Sequence, residues 1–515
     1  AGGITSTIKI DGHEKNSIFD VLCYTDPVYR ARYLDIVRET AALFDEIILD
    51  DFFFTACRCE MCLDAKGERS WAEFRLEQMA DMAREMVAAA RAVNPDVTFV
   101  IKYPNWYESY QECGYNPGVQ KDIFDGIYTG TESRDPRYSQ QHLQRYLSYS
   151  LVRYLENLAP GRNGGGWIDQ GGSSDNVNTF LEQASLTLFA RARELTLFNF
   201  ADLIDSMALP PLGRELARVD ALLGKVGQPR GVAVYEPCDA SGEDQLMNYL
   251  GMLGLPLEPS PAFDESAPAL LLTQSAAHDP DILPKLRRYV RQGGHAVMTI
   301  GFFHATYERG IQDMTSARLT PRRVWGQEYW MDNYYANRKT YAQGMQPVGL
   351  EVLEYKTNAT WCEIALVSGD CNFPLLLDDF YGQGHLYLLN VPDNFSDLYR
   401  LPAPVLTALR KALSRGLPAY LGAAARYGLL LYDDDTLGVH SFRPHAEAAE
   451  IVLRGQDVRG LEDLETGETF RALRDNPRPV KRFDSAKTEA EPLERVYALP
   501  LEPGCYRFLR ILRQR

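Results

Sequence analysis

Carboxylates and thiols are concentrated in one stretch of this chain, residues 44–62, which reads FDEIILDDFFFTACRCEMC. The apolar run at 47–49 is short enough for a buried parallel strand, and Asp50 and Asp51 follow it directly. A loop with three cysteines comes next: Cys57, Cys59 and Cys62. Acids at the carboxyl end of a buried strand, beside a cysteine cluster, indicate an active site with a metal-binding loop next to it.

Four of the nine cysteines could form one metal site. Three lie on the short loop just described, and Cys23 lies at the expected end of the preceding strand. Because neighbouring parallel strands end at the same edge, Cys23 can complete a tetrahedral set of thiolates, which suits a structural zinc ion and no catalytic cofactor. The alternative is a set of free or disulfide-bonded thiols. The other five are scattered and are expected to be ordinary buried thiols: Cys113, Cys238, Cys362, Cys371 and Cys505.

Acidic residues recur at or just past the expected strand ends. They are Asp50, Asp51, Glu108, Glu132, Asp169 and Asp202. Two opposed carboxyls are what the cleavage of a glycosidic bond needs: one protonates the leaving oxygen, and the other attacks the anomeric carbon or activates water. Side-chain alternation predicts that only one of Asp50 and Asp51 points into the mouth of the sheet. The alternative is that several of these acids cap helices or form ion pairs.

Aromatic and basic residues near the same strand ends could bind a sugar. Tyr103, Trp106 and Trp167 offer flat faces, and Lys102 and Arg134 could hold hydroxyl groups or an anionic sugar. Each of these aromatic residues could equally be part of the core.

The elements that must position these residues alternate between strand and helix. Strands are expected near 2–10, 47–49, 97–103, 124–131, 167–169 (after the glycine run 161–166) and 195–200, and helices at 30–43, 69–93, 139–157 and 178–192, with Ser70 as a start signal. This pattern predicts parallel βα units with chemistry at the carboxyl ends. Six strands are too few for a closed (β/α)8 TIM barrel, so we expect the first strands to lie upstream of residue 1.

Three domains are expected. Residues 1–227 form the barrel, residues 228–422 a second, smaller α/β domain and residues 423–515 a small antiparallel β domain. Within the second domain, residues 310–375 are rich in Tyr and Trp and are expected to be irregular, with a closing strand at 382–390 and a last helix at 403–415.

Composition excludes several classes of function. The formal net charge of −16 argues against a nucleic-acid partner, and no apolar run is long enough to span a membrane. Neither a dinucleotide- nor a phosphate-binding glycine motif occurs, and no nucleophile elbow of the GxSxG type. No leader peptide is visible; the compartment stays open, with the cytoplasm favoured if the start is not a processed site.

Three motifs resemble glycoside hydrolase family 42, the β-galactosidase family. CYTDPVYR (23–30) resembles its cysteine-containing turn, LDDFFFTACRCEMC (49–62) its acid followed by CxCxxC, and WIDQGG (167–172) its nucleophile strand. The resemblance implies a (β/α)8 barrel, a class I glutamine amidotransferase-like α/β domain and a small β domain, assembled as a trimer. Amidotransferase chemistry is not expected, because no cysteine follows HAVMTIG (295–301).

The same resemblance implies roles for individual residues. Asp51 falls on the general acid, Asp50 on the asparagine before it, Asp169 on the nucleophile and the four cysteines on structural zinc ligands. The family has Glu, Asn and Glu where this chain has Asp at all three positions, so Glu132 stays an alternative catalytic acid. The expected function is therefore hydrolysis of an oligosaccharide or other glycoside, with galactose specificity and the retaining mechanism left open. Two alternatives are a catalytically inactive carbohydrate-binding or scaffold protein, and a lyase or transglycosidase acting on an acidic sugar.

Overall fold

The computed structural model describes residues 7–10, 13–16, 22–51, 53–135, 143–169, 176–204, 206–333, 338–476 and 493–514. Within these residues, no helix has both the length and the apolar character needed to cross a membrane.

The first part of the chain contains a hairpin and a parallel sheet. Strands β1 (Thr7–Ile10) and β2 (His13–Asn16) pair antiparallel with each other. The sheet has the order β3-β4-β5-β6-β7, and each strand is parallel to the next. Its strands are β3 (Glu46–Leu49), β4 (Thr98–Tyr103), β5 (Gly126–Gly130), β6 (Asn163–Asp169) and β7 (Glu194–Phe198). The prediction of six barrel strands is therefore corrected to five in the described residues, since residues 7–10 belong to the hairpin.

Helices alternate with these strands as expected for βα units. They are α1 (Pro27–Ala41), α2 (Glu60–Lys66), α3 (Trp71–Arg91), α4 (Tyr110–Cys113), α5 (Pro117–Gln120), α6 (Leu147–Leu158), α7 (Val177–Phe189), α8 (Phe200–Leu203) and α9 (Leu209–Leu223). Ser70 starts α3 through a capping box: its hydroxyl accepts from the Glu73 amide at 3.2 Å, and the Glu73 carboxylate accepts from the Ser70 amide at 2.8 Å. The start signal read from the sequence is confirmed.

Alternation along the strands decides which side chains face the site. In β4, Phe99, Ile101 and Tyr103 are fully buried. Lys102 has the opposite orientation, and its register partner is Tyr128 in β5. Two residues further on, Gly130 pairs with Trp167 in β6. The polar side chains that follow the strands thus lie at one edge and on one face of the sheet.

The second domain is built on a nine-stranded mixed sheet with the order β10-β9-β11-β12-β17-β16-β15-β13-β14. The pairs from β10 to β17 are parallel and the rest are antiparallel. The strands in this part of the chain are β8 (Pro229–Arg230), β9 (Val232–Tyr235), β10 (Leu257–Ser260), β11 (Leu270–Leu272), β12 (His295–Thr299), β13 (Arg323–Asn333), β14 (Arg338–Glu351), β15 (Thr360–Ser368), β16 (Cys371–Tyr381) and β17 (Gly384–Leu389). Its helices are α10 (Leu246–Met252), α11 (Ile282–Arg291), α12 (Ile300–Thr306) and α13 (Ala403–Leu413).

The expectation of irregular structure at 310–375 is wrong. This segment contains three of the longer strands, β13, β14 and β15, and the start of β16. Bulges between Gly326 and Glu328 and around Cys362 to Ala365 shift the register. Each bulge reverses the side-chain alternation, so the period of two that marks a strand does not persist in the sequence.

The C-terminal domain consists of two antiparallel sheets, β18-β21-β25-β24 and β23-β22-β26-β20-β19-β8. Its strands are β18 (Ala419–Leu421), β19 (Tyr427–Tyr432), β20 (Thr436–Ser441), β21 (Glu447–Arg454), β22 (Val458–Asp463), β23 (Thr469–Phe470), β24 (Arg474–Asp475), β25 (Glu494–Leu501) and β26 (Tyr506–Arg513). One apolar core runs through the second and C-terminal domains and includes Leu186, Phe189 and Val219 from the parallel-sheet domain. The predicted fold class, α/β with a barrel-type parallel sheet followed by antiparallel β structure, is confirmed.

Candidate active site

The four predicted cysteines come together in the structure. All four sulfur atoms lie within 4.8 Å of one another, and Cys23 Sγ lies 3.6 Å from both Cys59 Sγ and Cys62 Sγ. Cys59 caps the N-terminus of α2 and Cys62 follows in its first turn, so the helix fixes this pair. A disulfide would need about 2.05 Å between the sulfurs. Zn–S bonds of ~2.3 Å in a tetrahedron place sulfurs ~3.8 Å apart, so this donor set fits a metal ion.

Residues around the cysteines hold them in place. Thr25 Oγ1 lies 3.1 Å from Cys62 Sγ and accepts from Gln78 Nε2 at 2.6 Å. Arg75, which is buried, donates to the Cys57 carbonyl at 3.5 Å. Helix α3 supplies both Gln78 and Arg75, so the cysteine-containing loop is attached to this long helix.

Lys102 is the centre of the carboxylate cluster. Its Nζ lies 3.5 Å from Asp50 Oδ1, 3.1 Å from Asp51 Oδ2 and 3.0 Å from Glu132 Oε1, and its side chain is only 2% exposed. The structure thus corrects the expectation that only one of the two adjacent aspartates faces the site. The strand ends at Leu49 and the chain turns at Asp51, so the strand alternation no longer applies.

Asp51 and Glu132 contact the same nitrogen, Lys102 Nζ. The contacts of 3.1 Å and 3.0 Å separate their oxygens by at most about 6 Å. Their exposure differs, since the Asp51 side chain is 33% exposed and that of Glu132 is 5% exposed. Of the two, Asp51 is therefore the one that a ligand can reach.

The environments of these two acids shift their pKa values. Burial raises the pKa of Asp51, the charge of Lys102 lowers it and the charge of Asp50 raises it, with a net increase. Burial raises the pKa of Glu132 to about 7, although Lys102 opposes the shift. A carboxyl that keeps its proton towards neutral pH can serve as a general acid.

Asp169 occupies the other side of the cluster. Arg134 Nε donates to Asp169 Oδ1 at 2.8 Å, and Arg134 Nη2 donates to Oδ2. This contact raises the pKa of Arg134, and the charge of Arg134 in turn lowers the pKa of Asp51. Asp51 and Asp169 therefore belong to one electrostatic network at one edge of the sheet.

The predicted sugar-binding residues have different surroundings from those expected. Tyr103 is fully buried and its hydroxyl donates to Gln120 at 3.2 Å, so its ring is part of the core. Trp106 packs edge-on against Tyr110 and Tyr115 and is partly buried. Trp167 is partly exposed and its ring lies 4.5 Å below Lys102 Nζ. Both cations, Lys102 and Arg134, hold carboxylates of the chain itself.

Two further predicted acids lie elsewhere, and two residues hold the backbone of the cluster. Glu108 accepts from Gln245 Nε2 of the second domain at 2.7 Å, and Asp202 lies in helix α8. Two positioning contacts were missed at the sequence level. Tyr115 donates to the Asp51 carbonyl at 2.8 Å, and Asn105 donates to the Glu132 carbonyl at 2.7 Å. Asn105 lies two residues after strand β4, and this position was a signal available in the sequence. No comparable signal in the sequence marks Tyr115.

Comparison with known proteins shows three successive matches to family models. Residues 1–214 match "Probable glycosyl hydrolase, catalytic domain", residues 227–394 match "Uncharacterized protein SSO3021, second domain" and residues 418–511 match "Probable glycosyl hydrolase, C-terminal domain". The uncharacterized protein SSO3021 of Saccharolobus solfataricus is 29% identical over 318 residues, covering 54% of this chain and 52% of that protein. The match thus spans about half the length of the curated relative.

Solved structures share the fold over almost the whole chain. A β-galactosidase from Bacillus circulans sp. alkalophilus has a TM-score of 0.59 at 10% identity, over 99% of this chain and 86% of that one. A family 42 β-galactosidase, Gan42B, has a TM-score of 0.57 at 13% identity, over 98% of this chain and 84% of that one. The β-galactosidase from Rahnella sp. R3 has a TM-score of 0.57 at 11% identity, over 96% of this chain and 84% of that one. The chain therefore has the fold of the family 42 β-galactosidases. Its first and last parts are similar to the two domains of the "Probable glycosyl hydrolase" models.

Proposed function

We propose that this protein is a glycoside hydrolase in which Asp51 is the general acid and Asp169 is the nucleophile or the base that activates water. The carboxyl cluster at the edge of a barrel-type parallel sheet supports this proposal, and the observation that carries it is the pair of opposed environments. Asp51 is partly exposed with a raised pKa, whereas Asp169 is held as an ion pair by Arg134. Two carboxyls with distinct environments can divide the acid and nucleophile roles.

In this mechanism, Asp51 gives its proton to the leaving oxygen as the glycosidic bond breaks. Asp169 then attacks the anomeric carbon, or takes a proton from the attacking water. Glu132 lies beneath Asp51 and is too buried to reach the sugar directly. Trp167 offers a partly exposed aromatic face next to the cluster. The relatives described as β-galactosidases make an exo-acting β-galactosidase the first activity to assay.

The test is hydrolysis of a panel of nitrophenyl glycosides and natural oligosaccharides. The wild type should cleave at least one member. Asp51→Asn and Asp169→Asn should each lower kcat by several orders of magnitude while the circular dichroism spectrum is unchanged. Full activity in either variant would remove that residue from the mechanism.

A carbohydrate-binding protein without turnover is the second candidate. The observation that favours it is the Arg134 contact, because it engages both oxygens of the proposed nucleophile. Calorimetry on the same sugars separates the two proposals: binding to a sugar with no hydrolysis of any panel member would support the binder. A lyase for acidic sugars was suggested by Lys102 and Arg134, and it loses its basis because both cations are paired with carboxylates.

We propose that the cysteine quartet binds a structural zinc ion. Cys23, Cys57, Cys59 and Cys62 would be its ligands, and four sulfur donors leave no open coordination position for a substrate. The site would join the segment before α1, the loop after β3 and the start of α2, and so stabilise the segment that carries Asp50 and Asp51.

A further inference from the structure

The ammonium group of Lys102 is surrounded by carboxylates of the chain itself. It donates to Asp51 Oδ2 at 3.1 Å and to Glu132 Oε1 at 3.0 Å, and Asp50 Oδ1 lies 3.5 Å from Nζ. The aliphatic part of its side chain is buried as well. Its position is fixed by β4, on which the next residue, Tyr103, is anchored in the core. A buried lysine with this set of contacts has a role within the cluster itself.

The charges in the cluster are unequal. One ammonium ion faces three carboxyl groups, so ionising all three leaves two more negative than positive charges. Water can stabilise the charges of Asp50 and Asp51, which are 36% and 33% exposed, but not that of Glu132, which is 5% exposed. Burial favours the proton on Glu132, which is the least exposed of the three, while Asp51 shares the same lysine. Lys102 thus links the ionisation of the deep acid to that of the exposed acid.

We propose that Lys102 is a positioning residue that sets how the proton is divided between Asp51 and Glu132, and so prepares Asp51 to act as the acid. The inference rests on the proposed function, since it takes Asp51 as the proton donor. When Asp51 transfers its proton to the leaving oxygen, that oxygen receives the electron pair of the broken C–O bond. The carboxylate formed on Asp51 lies 3.1 Å from the ammonium of Lys102, which keeps all of its own protons and stabilises the new charge.

The charged and titratable groups around this proton come from four strand ends and one loop. They are Asp50 and Asp51 after β3, Lys102 in β4, Glu132 and Arg134 after β5, Asp169 at the end of β6, and the buried Tyr110 and Tyr115. Among these, Lys102 is the cation in contact with both Asp51 and Glu132. Its charge lowers the pKa of both acids, so removing it should raise both.

The direction of this effect gives a sharp test. Activity that needs a protonated Asp51 is lost as the pH rises through the pKa of that residue. In Lys102→Met, the basic limb of kcat/KM should move to higher pH by about one unit or more, while the maximum rate falls at least about tenfold. Lys102→Arg keeps the charge and should return the limb towards its wild-type position. Lys121→Met, which removes a partly exposed lysine paired with Asp122, is the matched control.

A lower rate in Lys102→Met with an unmoved basic limb would overturn the proposal, because loss of structure alone lowers activity without shifting that limb. If this variant does not fold, Lys102→Gln, which removes the charge but keeps a polar side chain, takes its place and should show the same shift. Infrared difference titration of the carboxyl stretch provides a readout without turnover. The pKa of the carboxyl that titrates near neutrality should be higher in Lys102→Met.

The two proposals can fail separately. If no glycoside is cleaved but this infrared shift occurs, the proposed function fails and the charge relationship stands. If a glycoside is cleaved and neither shift occurs, only the role of Lys102 is refuted.

Discussion

Arg134 binds both carboxylate oxygens of Asp169, through Nε at 2.8 Å and through Nη2. A planar guanidinium matches a carboxylate in two parallel hydrogen bonds, and this fixes the orientation of the acid as well as its charge. Lysine would keep the charge but could not hold both oxygens. The side chain of Asp169 is only 8% exposed, so water contributes little to its orientation.

Arg134→Lys should therefore lower kcat by about 100-fold with little change in stability, since small displacements of a reacting group have effects of this size. Steady-state kinetics on the best glycoside, together with a thermal melt, measure both quantities. Arg91→Lys is the control, because Arg91 also binds both oxygens of a carboxylate, Asp125, at the surface. Equal effects of the two substitutions on kcat would contradict a specific role for the Arg134–Asp169 pair.

The cysteine quartet predicts about one zinc ion per chain. Cys59→Ser removes one ligand from the set and should lower both the zinc content and the melting temperature, because metal binding contributes directly to folding. Elemental analysis by mass spectrometry and calorimetric melting are the measurements. Cys371→Ser changes an exposed cysteine outside the set and should leave both values unchanged. A fully folded wild-type preparation without metal would refute the zinc site.

How much of this site could be predicted depended on whether the signal was local. The Cys57–Cys62 spacing and the capping box at Ser70 involve residues a few positions apart, and both are confirmed as geometry. Cys23 could be placed beside them because parallel strands bring their ends together. Lys102 shows the limit of such reasoning. The sequence shows its charge, but only the sheet register reveals that three carboxylates of the same chain already surround it.

The glycine run before Trp167 illustrates a second limit. Strand β6 begins at Asn163 and includes Gly164, Gly165 and Gly166, although glycine is depleted in strands and indicates a loop when read locally. A Cβ at Gly166 would lie 2.2 Å from Thr187 Cγ2, and one at Gly165 would lie 2.5 Å from the Glu194 carbonyl oxygen. The glycines are required by the close approach of β7 and α7, which is a tertiary requirement.

Trimer formation, implied by the resemblance alone, stays a prediction that sedimentation can test.

Glu132 should make the protein less stable as the pH rises towards neutrality. Burial raises its pKa from 4.5 to about 7 in the folded protein. Between these values the unfolded chain releases the proton and the folded chain keeps it, so the free energy of unfolding falls as the pH increases. Across this window the loss in the free energy of unfolding is at most about 3 kcal/mol.

Glu132→Gln removes the titrating group and should flatten the pH dependence of the free energy of unfolding, as measured by urea unfolding at several pH values. The same slope in wild type and Glu132→Gln would show that another group is responsible; Glu39→Gln, at an exposed position, serves as the control.

Glu182 forms a buried contact between the parallel-sheet domain and the C-terminal domain. This buried carboxylate lies 2.7 Å from His440 Nε2 in β20 and 3.3 Å from Arg145 Nε. Burial raises the pKa of Glu182. The charge of Arg145 and the hydrogen bond from His440 lower it by more than burial raises it, so the net pKa lies below the ordinary value of 4.5. The ionised form is therefore bound more strongly in the folded state. Its contribution to stability is present above pH 4.5 and is lost as the pH falls through the lower folded value.

Glu182→Gln should lower the free energy of unfolding at pH 7 by about 3 kcal/mol, because Arg145 is left at the interface without its carboxylate partner. The variant should also lose less stability than the wild type when the pH is lowered from 5 to 3. Glu447→Gln breaks a pair between an exposed glutamate and the partly exposed Arg443 within the C-terminal domain, and it should change stability by less than about 1 kcal/mol. Chemical unfolding of the three proteins at both pH values measures these differences. If Glu182→Gln is as stable as Glu447→Gln, the buried carboxylate does not hold the two domains together.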